Sequence, residues 1–191
     1  MSEVINALRR EHDALSKLLD ALERQLVEFD QGRRPDYDIV QGVIDYCLTF
    51  PDLYHHPKED LVYARMAARN PAKAATVGDL LAEHEALAAL TQRFAEAMRN
   101  VLDEAEISRE GLLEVAYDFL GHYRRHIAGE EEVFFPAAFE VLTPEDWQAV
   151  EAEVEARQDP LFGRQPEQRF VLLREHVLAW DRDQQMADEA S

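Results

Sequence analysis

The stretch INALRREHDALSKLLDALERQLVEF, residues 5–29, places an apolar side chain at alternating steps of three and four. Ile5, Leu8, Leu15, Leu19, Leu22, Leu26 and Phe29 form the seam, and the step between Leu8 and Leu15 is completed by His12. A seam of this period is the buried edge of a long helix packed in a bundle. One helix cannot bury such a seam alone. The chain must therefore hold further helices, and whatever faces position 12 must accommodate an imidazole.

Working outward, the first helix runs from about Ser2 to Asp30, and DQGRRPD ends it with Gly32 and Pro35. A second runs from about Tyr37 to Arg69 through Val40, Ile44, Cys47, Val62 and Met66. Pro51 and Pro57 lie inside it, and each removes a backbone donor, so a bend or a loosened turn is expected there. A third spans about Ala72 to Leu102, with Val77, Leu80, His84, Leu87, Thr91, Phe94 and Met98 in line. A fourth spans about Ser108 to Val141, with Leu112, Val115, Phe119, His122, His126, Gly129 and Val133 in line, and Pro136 marks strain or an early end. The expected architecture is all-α: an up-down-up-down four-helix bundle over residues 1–142. Residues 143–191 read as a C-terminal extension of two helices. Thr143 and Pro144 start the first of these, to about Arg157, and QDPLFGRQP links it to the second, about Glu167 to Gln185. Phe170, Leu173, Val177 and Trp180 form an apolar stripe on that last helix. Self-docking of the stripe, and hence a monomer, is favoured over a homodimer.

The balance of 39 acidic against 20 basic residues gives a net charge of −19. Such a surface repels phosphate backbones and anionic lipid, so neither nucleic acid nor membrane is an expected partner. Cys47 is the single cysteine and falls on an apolar stripe, as a buried reduced thiol would. No apolar run approaches a membrane span and the N-terminus carries no signal-like apolar core, so a soluble, cytoplasmic protein is expected.

Five of the seven histidines sit on predicted seams: His12, His55, His84, His122 and His126. In antiparallel neighbours, residues equidistant from a turn share a height. The midpoint of His12 and His55 falls in the turn after the first helix, and that of His55 and His84 falls beside Asn70-Pro71. The midpoints of His84 with His122 and with His126 both fall in LDEAEIS. All four helices should then bring histidine to one layer. Glu59 follows His55 by four residues, and Glu130 follows His126 by four, which places each pair on one helix face about 5–6 Å apart. Buried without partners, such groups would cost roughly 1–3 kcal/mol each. The candidate metal set is thus His12, His55, Glu59, His84, His122, His126 and Glu130. His56 turns about 100° away from His55 and is kept as an alternative ligand. His176 reads as structural. Glu131 and Glu132 read as solvent-facing or supporting the ligands. Tyr54, Tyr63 and Tyr123 read as packing residues. With no thiolate and more N/O donors than one tetrahedral ion can use, the set points to two octahedral ions, and imidazole suits iron.

The N-terminal His, HHPKE, EHE and HYRRHIAGEEEVFFP together resemble the hemerythrin-like, HHE cation-binding proteins over residues 5 to 142. The resemblance implies a four-helix bundle holding two non-haem iron ions with a bridging oxygen, oxo or hydroxo. It makes His12, His55, His84, His122 and His126 terminal ligands, with Glu59 and Glu130 bridging. One position on two octahedral irons then stays open for a small diatomic ligand, O2 or NO, or for peroxide. Classical oxygen carriers end on His and Asp with four residues between them, and carry their H-x-x-x-H pair on the third helix. Here the ending is His126-x-x-x-Glu130 and the pair, His122/His126, is on the fourth. Roles associated with the HHE form are sensing, peroxide handling and iron–sulfur repair. Binding or sensing ranks first, and a peroxide-consuming enzyme or iron donor second.

Overall fold

A computed structural model describes residues 2–102, 108–157 and 165–189. It is 89% helix, with no strand among the described residues. The LDEAEIS turn, apart from its two end residues, and most of the QDPLFGRQP loop lie outside the described residues.

The elements are α1 (Glu3–Asp30), α2 (Tyr37–Cys47), a wide turn π1 (Pro51–His55), α3 (His56–Arg69), α4 (Pro71–Ala74) and α5 (Leu80–Leu102). They continue with α6 (Arg109–Gly129), a second wide turn π2 (Glu130–Phe134), α7 (Phe135–Val141), α8 (Pro144–Arg157) and α9 (Gln165–Glu189). The second and fourth sequence-predicted helices are therefore each interrupted by a π turn, and the third is split by Gly78 and its neighbours. Gly32 stops α1 at φ +77, letting Arg33 N–H bond back to the Glu28 carbonyl at 3.0 Å. The Asp36 carboxylate caps α2, Ser108 caps α6, and Thr143 and Asp146 bond each other's backbone at the start of α8.

Contacts between helices run in opposite sequence directions. Gln25 meets Asp36 and His12 meets His55 between α1 and the α2–α3 arm. Arg9 meets Glu131 and Arg124 meets Asp20 between α1 and the α6–α7 arm. Phe94 meets Phe119 and Glu83 meets His126 between α5 and α6.

The core has two apolar halves. One joins Leu15–Leu26, Ile39–Phe50, Phe94–Met98 and Leu112–Tyr123. The other joins Val4, Ile5, Leu8, Val62, Met66, Phe134 and Phe135. Burying such side chains stabilises by about 1.5–3 kcal/mol each and holds the helices in register. A layer of histidine and glutamate lies between the halves.

Helix α9 packs against α1 and α2. Val177 and Leu173 join the first core half, and Arg24 donates to Asp181 at 3.0 Å. Gly42 permits the approach: a Cβ there would fall 2.5 Å from Val177 Cγ2. Of the expected stripe, Trp180 is instead 37% exposed and Leu178 packs inward, while the Phe170 side chain lies outside what the structure describes.

Candidate metal centre

The polar layer takes His12 from α1, His55 from the end of π1, His56 and Glu59 from α3, His84 from α5, His126 from α6 and Glu130 from the start of π2. All are buried, Glu59 fully so.

The π turns decide how this layer is filled. The His56 N–H bonds to the Pro51 carbonyl and the Phe135 N–H to the Glu130 carbonyl, five residues back instead of four. Each is followed by a proline, Pro57 or Pro136. In a regular helix that ring would press on the carbonyl four residues earlier and leave it without a donor. Widening the turn moves that carbonyl aside. It also changes the angular step, so that the consecutive residues His55 and His56 both point inward.

Two groups of donor atoms result, each within 4.8 Å: His12, His55, Glu59 and Glu130, and His56, Glu59, His84 and His126. The glutamates lie between them with their oxygens divided. Glu59 Oε1 is 3.2 Å from His55 Nε2 and 3.7 Å from His12 Nε2, while its Oε2 is 3.4 Å from His84 Nε2. Glu130 Oε2 is 3.1 Å from His12 Nε2, while its Oε1 is 3.2 Å from His126 Nε2 and 3.7 Å from His84 Nε2. None of these four carboxylate oxygens has a hydrogen bond, and neither does Nε2 of His84 or His126. Buried polar atoms are ordinarily satisfied. Converging imidazole nitrogens and divided carboxylates are a donor set that suits two divalent cations.

The outer nitrogen of every imidazole faces a second carboxylate. Nδ1 of His12 donates to Glu131 at 2.9 Å, that of His55 to Glu11 at 2.8 Å, and that of His56 to Asp52 at 3.1 Å. His126 Nδ1 donates to Glu83 at 3.3 Å, and His84 Nδ1 lies 3.3 Å from Asp60. Such partners fix the tautomer, aim Nε2 inward and raise its basicity. Two of the five are neutralised, Glu131 by Arg9 and Glu11 by Lys58. Asp52, Asp60 and Glu83 have no cationic side chain of Lys or Arg within salt-bridge distance among the described residues.

The charges of the metal-free layer follow. Burial opposes the imidazolium form of His12, but Glu130 and Glu59 hold its pKa up to about 10. The same opposition, overcome by Glu59 and Glu11, leaves His55 at about 9, and Glu130 with Glu59 leaves His84 at about 9. His56 is lowered, chiefly by burial, and stays neutral. Burial raises Glu59, but His55 and His12 overcome it and push its carboxyl well below the usual range.

Of the seven residues selected from sequence, the structure brings together His12, His55, Glu59, His84, His126 and Glu130, and leaves His122 out. The His122 ring is 43% exposed and its Nδ1 lies 3.1 Å from Asp118. Two steps of four residues separate positions 122 and 130, and they drift by about 80° around a helix, so one face cannot hold His122, His126 and Glu130 alike. His56, the alternative, stands in the layer, stacked on His84 with ring centroids 3.8 Å apart. His176 packs on Trp180, Glu131 supports His12, and Glu132 is exposed. Tyr54 packs on Phe50, Tyr63 bonds the Gly78 carbonyl, and Tyr123 is buried beside Thr91. Sequence reasoning missed Glu11, Asp52, Asp60 and Glu83. Only Asp52 carried a local signal, four residues before His56.

Fold and site together define an all-helical protein with a buried histidine–carboxylate layer able to hold metal. The family model of the hemerythrin HHE cation binding domain matches residues 3–138, and the chain belongs to that family. No curated protein matches the chain significantly, nor does a solved structure.

Proposed function

We propose that the chain is a non-haem di-iron protein that binds a small ligand, O2, NO or peroxide, for sensing or storage. His12 and His55 would hold one ion and His56, His84 and His126 the other, with Glu59 and Glu130 shared. The observation that carries this reading is the division of each buried glutamate, one oxygen toward each histidine group. The first position has one protein donor fewer than the second, which suits ligand binding there. Iron at these positions would supply reversible coordination and one-electron redox chemistry. The protein's own groups prepare that chemistry. Glu131, itself held by Arg9, aims His12, and Glu11, held by Lys58, aims His55. Phe135 stacks on His12 at 5.5 Å and, with Phe134, keeps water from that side.

In this reading the long helices form one up-down-up-down bundle, and α8 and α9 extend it within a monomer. No described helix is long and apolar enough to cross a membrane.

The test is metal analysis after expression in iron-rich medium, then anaerobic Fe(II) reconstitution followed optically on adding O2, NO or peroxide. Two ions per chain and a ligand-dependent spectrum are expected. One tetrahedral zinc per chain would overturn the reading.

A further inference from the structure

A cleft of about 380 Å³ opens between α5 and the α6–π2 arm and ends on His126 and Glu130. Ordinary ligand pockets begin near 300 Å³, and a water molecule occupies only about 30 Å³, so a diatomic needs a small fraction of this space. Val77, Leu80, Leu87 and Phe134 give it apolar walls. Two basic side chains, His122 and Arg125, stand along it. Both come from HYRR, residues 122–125, the part of the histidine motif that the metal layer does not use.

We propose that this cleft binds a small organic carboxylate, with its head on Arg125 and His122 and its apolar body laid across Gly129 toward Phe134. Arg125 has no acidic partner within salt-bridge distance among the described residues, whereas Arg9, Arg24 and Arg124 each do. A free guanidinium beside a cleft suits a carboxylate, which it can grip with two parallel bonds. Its side chain lies back along α6, its Nη1 3.1 Å from where a Gly121 Cβ would stand. Glycine at 121 thus leaves the guanidinium its place. His122 donates Nδ1–H to the Asp118 carbonyl at 2.9 Å, and its Nε2, when it carries a proton, is the donor left for the carboxylate head. The carboxylate on the opposing wall, Glu83, is engaged by His126. At Gly129 a Cβ would meet nothing within 4 Å, so no packing contact calls for glycine there. What a side chain would fill is the cleft.

The inference concerns the flank of the proposed metal centre but rests on the cleft walls, so the two are tested apart. Sodium hexanoate is titrated calorimetrically into the full chain, metal-free and metal-loaded, with 1-hexanol as the uncharged control. Saturable hexanoate binding is expected in both forms, at least tenfold tighter than hexanol. Arg125→Gln should weaken hexanoate at least tenfold and leave hexanol unchanged. Gly129→Leu should abolish binding of both, while metal content stays at the wild-type value in each variant. Absence of hexanoate binding, equal affinity for hexanol, or indifference to both substitutions would overturn the proposal. A wild-type chain without bound metal would count against the di-iron reading alone.

Discussion

Loading the metal-free protein with a divalent cation at pH 7 should expel at least two protons per chain. Only a neutral imidazole nitrogen can bind metal. In the metal-free layer, burial opposes the charged form of His12, His55 and His84, yet facing carboxylates hold them up to about 10, 9 and 9. All three therefore lie above neutral pH. The Nε2 atoms of His12 and His55 meet at 3.1 Å, so two imidazolium charges repel there. Counting one proton for that pair and one for His84 gives the lower bound of two. Two released protons make the overall binding constant rise about a hundredfold per pH unit, or about 2.7 kcal/mol. The rise continues until pH passes about 9 to 10, where the imidazoles are already neutral. The metal-free fold should behave in the opposite sense. Histidines whose pKa is raised on folding stabilise it in full below the ordinary value of 6.5, and that contribution fades as pH climbs through about 9 to 10. Calorimetric titration in buffers of different ionisation enthalpy reads the proton count as a slope. A slope of zero, with affinity independent of pH, would refute the charge assignment.

Glu59→Ala should lower metal content at both positions, because Glu59 faces both, whereas His122→Ala and His176→Ala should leave it unchanged; elemental analysis decides. Gly42→Ala should destabilise the chain by about 1–3 kcal/mol in urea unfolding, since the new methyl meets Val177 and must displace α9. An unchanged urea midpoint would show that α9 is not seated on α2. Truncation after Glu155 should lower the thermal midpoint and increase binding of an apolar dye, while the full chain scatters light as a monomer. A full-length dimer that becomes a stable monomer on truncation would assign α9 to a partner chain.

The polar layer was legible because its residues obey two simple periodicities. His12 completes the seam of α1, and His55, His84 and His126 lie at equal distances from their turns. Glu59 and Glu130 were legible as four-residue followers of histidines. The two points where reading and structure part have separate causes. His56 ranks only as the alternative ligand when about 100° separates neighbours in a regular helix, yet π1 removes that regularity. Pro51 and Pro57 announced a disturbance but not its form. His122 reads as a ligand when each four-residue step is taken as one face, although each such step drifts by about 40°. Apart from Asp52 and Glu131, the outer carboxylates were illegible for another reason. Glu11 reaches His55 across 44 positions of sequence and Glu83 reaches His126 across 43, and among 39 acidic residues nothing local distinguishes them.

The two wide turns also bear on how this protein could change over time. Each carries one residue more than a regular helical turn. Deleting a single residue between Phe50 and His55 would close the wide turn, bring the Pro57 ring back onto the carbonyl four residues before it, and turn α3 by about 100° relative to α2. The same edit would swing Glu59 away from the histidines it faces. Helix and metal layer would be damaged by one edit, so chain length in this stretch is tied to both. Related chains should therefore tolerate substitution between Phe50 and His55 far better than a change in its length.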